Sequence, residues 1–493
     1  MSSLPVPVSL DSTLRHLGSA DPRRPFLIDA REPERPLEYT WGDADRQVDA
    51  LAEQIAAHAC RSVGVLLDNS YRNLCLIYAV MRAGKHLVLI DPEWGEAAKQ
   101  AIVDEMRLDA LASEHPLEGA LAGLRLALDF ERSATRRLDR AAAHSHMILF
   151  TSGTTGQPKG IELSQQAMLH AYRIGRDCLG IGEHTRSGCF YRISGLGILG
   201  INFLFPLLYG GSAVLLPLHC WADSEGFWEC VERFGISFLY LVPPVVNHMV
   251  KEGSPPPRRL PLQRLLCVAG SARLDADLQA AFQRDYAALA NIYGLSECGF
   301  AFLFGKRRGD AFDNSVGPAV GLELKLTDPD GRPLEGSGER GRLWVRTLSL
   351  FSGYVNRPDL TAQVLEDGWL NTQDLAYFDE DRCVHVLGRC DGTINKGGNL
   401  FHLNECERAL NGLDEVIDVC CLKVDCPLYG EDYVAVIHTA PQVEFAFLPW
   451  LQQQLGTLRA PQRVVLSHQA LPLNGAGKHD RRALAALLQR EAS

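Results

Sequence analysis

Arg61-Ser-Val-Gly-Val-Leu-Leu67 is the stretch on which the fold turns. It is a short apolar run bounded by polar residues, which reads as a strand covered on both faces rather than one with a wet side. An amphipathic segment, Ser70 to Ala83, follows it, and then a second apolar run, His86 to Ile90. Strand, crossover helix and strand imply parallel pairing, because a parallel neighbour needs a long return connection. The same succession recurs at Ile236 to Val242 followed by Val245 to Val250. The expected class is therefore α/β, with mostly parallel sheets in a large N-terminal domain of several subdomains.

Beyond Asp310 the texture changes. Short alternating segments such as Gly341-Arg-Leu-Trp-Val-Arg346 stand between the turn sequences Asp328-Pro-Asp-Gly331 and Asp379-Glu-Asp-Arg382. They predict antiparallel strands that close the large domain as a small barrel-like part. A basic, glycine-bearing stretch follows Gly388, and a helix is expected from about Asn404, with Glu405 and Glu407 in its dipole-favoured first turn. The expected division is residues 1–388 and 389–493, the second a small α/β domain ending in a glycine-bracketed loop and a terminal helix.

Composition narrows the function. At 493 residues the chain is far too long for a simple binding module, and 49 basic against 60 acidic residues give a formal charge of -11. That balance repels a phosphate backbone, so no nucleic-acid partner is expected. The fourteen cysteines are scattered, apart from the neighbours Cys420 and Cys421, and no Cys-x-x-Cys occurs. They read as reduced residues of a cytoplasmic protein. Asn202, Pro206 and several glycines interrupt the longest apolar run, Gly195 to Gly211, so no membrane span is expected.

Ile148-Leu-Phe-Thr151-Ser-Gly-Thr-Thr-Gly-Gln-Pro-Lys159-Gly160 carries the strongest chemical signal. An apolar strand runs into hydroxyls and glycines and then a lysine, which together offer backbone N–H groups, side-chain donors and a cation to phosphate oxygens. The spacing is not that of a Walker A loop.

Thr151-Ser-Gly-Thr-Thr-Gly-Gln-Pro-Lys-Gly160 resembles the phosphate loop of the adenylate-forming superfamily of acyl-CoA synthetases, peptide-synthetase adenylation domains and luciferases. Four more stretches resemble that family in the same order: Asn291-Ile-Tyr-Gly-Leu-Ser-Glu297, Asn371-Thr-Gln-Asp374-Leu, Gly388-Arg-Cys-Asp391, and Leu471-Pro-Leu-Asn-Gly-Ala-Gly-Lys478. Five motifs in order are far more specific than one.

The resemblance implies ATP and Mg²⁺ as cofactors and a small carboxylic acid as substrate. Thr151, Ser152, Gly153, Thr154, Thr155, Gly156 and Lys159 would cradle the β- and γ-phosphates, Ser296 would bond phosphate, and Glu297 would hold the metal. Gly270, Ser271, Asn291, Ile292, Tyr293 and Gly294 would surround the nucleotide, Asp374 would accept from the ribose hydroxyls, and Arg389 would contact ribose and phosphate. Lys478 would bridge the acid and the α-phosphate. Asp391 would be the hinge about which a mobile C-terminal domain rotates. Thr151, Ser296, Glu297 and Lys478 form the expected catalytic group, and such charge matters because two anions must meet.

By matching family positions the acid pocket draws on Arg192, Ser194, Gly195, Val242 and Ala272. Arg192 disfavours an ammonium group and would favour a second anionic or polar group. The sequence departs from the family pattern at Asn395, Leu400 and Leu403, all in the segment that serves thiol transfer. Gln373 replaces a glycine and Ser296 a threonine, the latter keeping its hydroxyl.

The expected reaction is adenylation of an acid followed by transfer to a thiol, with coenzyme A favoured because Gly397-Gly398-Asn399 resembles the Gly-Gly stretch of acyl- and aryl-CoA synthetases. The alternatives are loading of the phosphopantetheine of a carrier protein, an adenylating enzyme with a different second step such as ring closure of a β-hydroxy acid, and a nonenzymatic AMP- or acyl-binding sensor. Lys478→Ala is expected to abolish adenylate formation yet spare thiol transfer from preformed adenylate. Measuring the two steps separately checks this, and equal loss of both would contradict it.

Overall fold

The computed structural model describes the chain except residues 1–3, 95, 118, 139–144, 153–157, 257, 262, 391–392, 397–398, 427–429, 458, 475–477 and 492–493. The opening stretch forms the strand Ser62–Leu66, parallel to His86–Ile90 on one side and Leu111–Ala112 on the other. Gly64 leaves room for the neighbouring strand's side chain, since a Cβ would lie 2.2 Å from Leu111 Cδ2 and displace it. Ser70 starts the crossover helix Tyr71–Arg82 by accepting the Asn73 N–H, while Asn73 Nδ2 reaches back to the Leu66 carbonyl at 2.6 Å. His146–Ser152 adds in parallel to His86–Ile90 and turns back antiparallel into Pro158–Ser164, which pairs with the two-residue strand Gly353–Tyr354.

A second sheet has the order Phe300–Phe304, Ala288–Leu295, Leu266–Ala269, Phe238–Leu241, Arg186–Cys189, Ser212–Leu215, Pro25–Asp29 and Leu37–Thr40. It is parallel through the middle and antiparallel at both edges. The helix expected from Val245 begins two residues earlier, as Pro243–Lys251, because proline suits the first helical position, where no N–H is needed. The apolar run from Gly195 folds into consecutive short helical segments, Leu196–Leu199, Gly200–Leu204 and Phe205–Leu208, packed in the core. Among the described residues no helix is long and apolar enough to cross a membrane.

The antiparallel region expected beyond Asp310 forms around Gly341–Arg346 and Trp369–Phe378, with Glu323–Thr327 and Val384–Arg389 on their flanks. Both turn sequences are present: Gly331 N–H bonds the Asp328 carbonyl and Arg382 N–H the Asp379 carbonyl. Up to Arg389 the described chain is thus mixed α/β, with two largely parallel sheets, a six-stranded antiparallel one and the two-stranded pair Arg307–Arg308 and Ala311–Phe312. After Ile394 the buried apolar side chains form clusters of their own around Asp418–Cys426 and Gly430–His438. The helix foreseen near Asn404 spans Leu403–Asn411.

One buried charge ties the N-terminal helices together. Arg82 is 0% exposed and its guanidinium meets Asp11 at 2.7 Å and Asp45 and Asp49 at 2.8 Å each. Removing one member of such a set strands the others without solvent. Arg82→Met is therefore expected to lower stability by about 3–5 kcal/mol, measured by urea unfolding.

Candidate active site

The hairpin His146–Ser152 and Pro158–Ser164 pairs Thr151 with Lys159 and ends with Ser152 opposite Pro158. Gly153, Thr154, Thr155 and Gly156 lie outside the described residues, as does Asp391. Lys159 is described, and its ammonium lies 5.7 Å from the centroid of the Tyr354 ring. The neighbouring strand delivers that ring, since Tyr354 stands opposite Ile161. The Tyr354 hydroxyl in turn donates to Glu297 Oε1 at 2.7 Å. Burial, then the Glu297 charge, raises the Tyr354 pKa, so the hydroxyl stays protonated and keeps donating. The lysine after the hydroxyl-rich turn and the expected metal-holding glutamate thus face one ring.

Glu297 sits on the single turn Ser296–Cys298 that links Ala288–Leu295 to Phe300–Phe304. Gly294 makes the close strand approach possible, because a Cβ there would fall 2.5 Å from Ala301 Cα. A glutamate on a tight turn presents an oxygen donor of the kind Mg²⁺ takes beside phosphate oxygens and water, so the residue type fits the implied metal. Among the described residues the one cluster of metal-type side chains is Asp68, Glu114 and His115, which does not include Glu297.

Tyr293, on the same strand, donates its hydroxyl to Asp374 Oδ2 at 2.5 Å. Asp374 is only 5% exposed, and its N–H bonds Thr372 Oγ1 at 3.1 Å. Arg389 stands opposite Asp374 in the adjacent strand and reaches the Thr372 carbonyl at 3.0 Å and Gln373 Oε1 at 2.7 Å. Gln373, which replaces the family glycine, has φ of +59°, a left-handed backbone that glycine adopts without strain. Its amide oxygen, which glycine lacks, holds the Arg389 guanidinium.

Lys478 closes this wall. Its backbone N–H bonds Asn474 Oδ1 at 3.1 Å and its carbonyl accepts from Asn474 N–H at 2.7 Å; residues 475–477 between them lie outside the described set. Solvent reaches the side chain, yet the surrounding protein pushes its ammonium below the ordinary lysine range; Asp374 opposes that shift and Arg389 adds to it. The three groups therefore act on one another electrostatically. His479, the next residue, meets Asp418 at 2.8 Å.

The stretches that carry Arg192, Val242 and Ala272, expected to supply the acid pocket, meet. Tyr191 accepts from Val242 N–H at 3.1 Å, its ring lies 6.0 Å from that of Tyr240, and Tyr240 bonds Ser271 at 2.5 Å. Gly270 packs closely on Ile292, and Ser271 takes a positive φ of 71° on the exposed turn that carries Ala272. Gly195 opens the first short helix after Ser194, and Asn291 Nδ2 is held by the Asn314 carbonyl at 3.2 Å. Arg192 is already engaged: its guanidinium meets Asp91 at 2.6 Å and Glu93 at 2.9 Å.

The chain belongs to the AMP-binding enzyme family, which matches residues 14–355. It is 28% identical over 430 residues to sulfoacetate–CoA ligase of Cupriavidus necator strain H16, covering 84% of this chain and 82% of that protein. It is also 28% identical over 344 residues to feruloyl-CoA synthase of an Amycolatopsis species, covering 67% of each. The fold matches the crystal structure of the anthranilate CoA ligase AuaEII in complex with anthranoyl-AMP at a TM-score of 0.83 and 21% identity, over 98% of both chains. The family and its ligase relatives make this chain an adenylate-forming ligase.

Tyr354 and the pairs Asp91–Arg192 and Asp418–His479 carried no signal in the sequence, because each joins residues distant along the chain. The last gives a measurable property. Burial opposes charging the His479 ring, but the hydrogen bond and charge of Asp418, with the Cys420 thiol, raise its pKa from 6.5 to about 10. The pair thus stabilises the fold fully below the ordinary histidine value and fades as pH rises through about 10. In Asp418→Asn the histidine is expected to titrate far lower, as read by NMR of its ring nitrogens.

Proposed function

We propose that the protein is an ATP-dependent acid–thiol ligase that adenylates a small carboxylic acid and passes the acyl group to coenzyme A. The observation that carries the reading is the grouping of Lys159 with Glu297 about Tyr354. Lys159 and the hydroxyl turn from Thr151 hold the β- and γ-phosphates, with Ser296 beside them. Tyr293 presents a ring to adenine, and Asp374 accepts from the ribose. Mg²⁺, held by Glu297 when bound, offsets phosphate charge. Lys478 and Arg389 offset the rest where the carboxylate oxygen attacks the α-phosphorus and pyrophosphate leaves.

The acyl-adenylate is a mixed anhydride, so a thiol displaces AMP from its carbonyl and forms a thioester. The names of the two curated relatives, both coenzyme A ligases, support coenzyme A as acceptor. Residues 389–493 act as the mobile domain, with Asp391 as its hinge. Arg192 is balanced by Asp91 and Glu93, so the pocket does not require a second anion on the acid. The fourteen free thiols suit a reducing cytoplasm.

Acid-dependent exchange of labelled pyrophosphate into ATP, screened across aliphatic, aromatic and sulfonated acids, is expected to single out a substrate class. Thioester assays with coenzyme A and with holo carrier proteins then identify the acceptor. ATP binding without exchange on any acid would favour the sensor, and thioester on the carrier alone would replace coenzyme A.

A further inference from the structure

The helix Pro243–Lys251 links the acid pocket to the C-terminal segment. Its leading residue, Val242, bonds Tyr191 at the pocket. At its far end the Lys251 ammonium donates to the carbonyls of Asn411 at 3.1 Å, Leu413 at 3.3 Å and Val416. One turn earlier Asn247 Nδ2 donates to the Ile417 carbonyl. These carbonyls lie at and just beyond the C-terminus of the helix Leu403–Asn411, where a helix carries partial negative charge and unsatisfied acceptors.

The contacts continue without a gap to the reacting lysine. Ile417 is followed by Asp418, Asp418 meets His479 at 2.8 Å, and His479 follows Lys478 in the chain. Burial draws the Lys251 ammonium below the ordinary lysine range, with Asp414, Asp418 and Glu252 opposing the shift. A cation desolvated against main-chain carbonyls some 160 residues away in sequence is costly unless those bonds are made. That cost returns whenever the two surfaces part.

We propose that Lys251 and Asn247 are positioning residues forming a latch that holds the C-terminal segment closed and, through Ile417, Asp418 and His479, keeps Lys478 in the cleft for adenylation. The latch takes the chemistry of Lys478 from the ligase reading, but its mechanical part stands apart from it. It acts on the first half-reaction only, because thiol transfer uses the other pose of the hinge. Arginine, also a long cation with several donors, can replace Lys251 in part; methionine keeps the stem and loses every bond.

The test uses the full-length protein as wild type, Lys251→Met and Lys251→Arg. Small-angle X-ray scattering without substrate is expected to show a larger radius of gyration for Lys251→Met, with arginine between it and wild type. Pyrophosphate exchange should fall about tenfold in Lys251→Met, while thioester formation from supplied acyl-adenylate changes less than about twofold. Thermal unfolding should remain close to wild type. An unchanged radius with unchanged exchange, or both half-reactions falling in step, would overturn the latch. Expansion of Lys251→Met in a protein that shows no exchange with any acid would uphold the latch and remove the ligase reading. Exchange by wild type that Lys251→Met matches would do the reverse.

Discussion

The hydrogen bond from Tyr354 to Glu297, beneath the Lys159 ammonium, is the constraint on which the site depends. Tyr354 and Lys159 belong to the sheet built from Ser62–Leu66, whereas Glu297 follows the strand Ala288–Leu295 of the other sheet. A second bond, from Phe351 N–H to the Glu297 carbonyl at 2.7 Å, reinforces the junction. A carboxylate and a cation are thereby held near one another across two separately ordered sheets. Neither sheet alone could oppose them at that distance.

The other wall works by balance of charge. Asp374 is nearly buried, accepts from Tyr293 and feels both Arg389 and Lys478, so two cations gather about one carboxylate. In the proposed reaction a triphosphate and an acid would bring negative charge to this group of cations, which the protein has already ordered. Gln373 shows how a departure from a family pattern is absorbed: the residue takes a left-handed backbone that glycine would adopt freely, and its side chain binds Arg389.

Much of this was legible along the chain. The alternation of apolar runs and amphipathic segments foretold the parallel strands, since burial on both faces leaves an unbroken apolar signature. The turn sequences foretold the antiparallel sheet beyond Asp310. Helix starts were less exact, and Pro243 shows why: the apolar period begins at Val245, but the backbone is committed by proline earlier. Arg192 is the opposite case. Its match to a family pocket position was readable, but its pairing with Asp91 and Glu93, about a hundred residues earlier, was not.

By itself the sequence determined the α/β class, the order of the elements and the kinds of groups that could meet a nucleotide. Local periodicity, turn chemistry and side-chain type are properties of neighbours along the chain, and they are visible there. Only the tertiary structure decided that Tyr354 stands between Lys159 and Glu297, that Asp418 anchors the residue after Lys478, and that Lys251 grips carbonyls of the C-terminal segment. Each of those is a distance between residues far apart in the chain. Such distances depend on how sheets and helices pack, and their energies are hydrogen bonds and charges made only after burial has removed competing water.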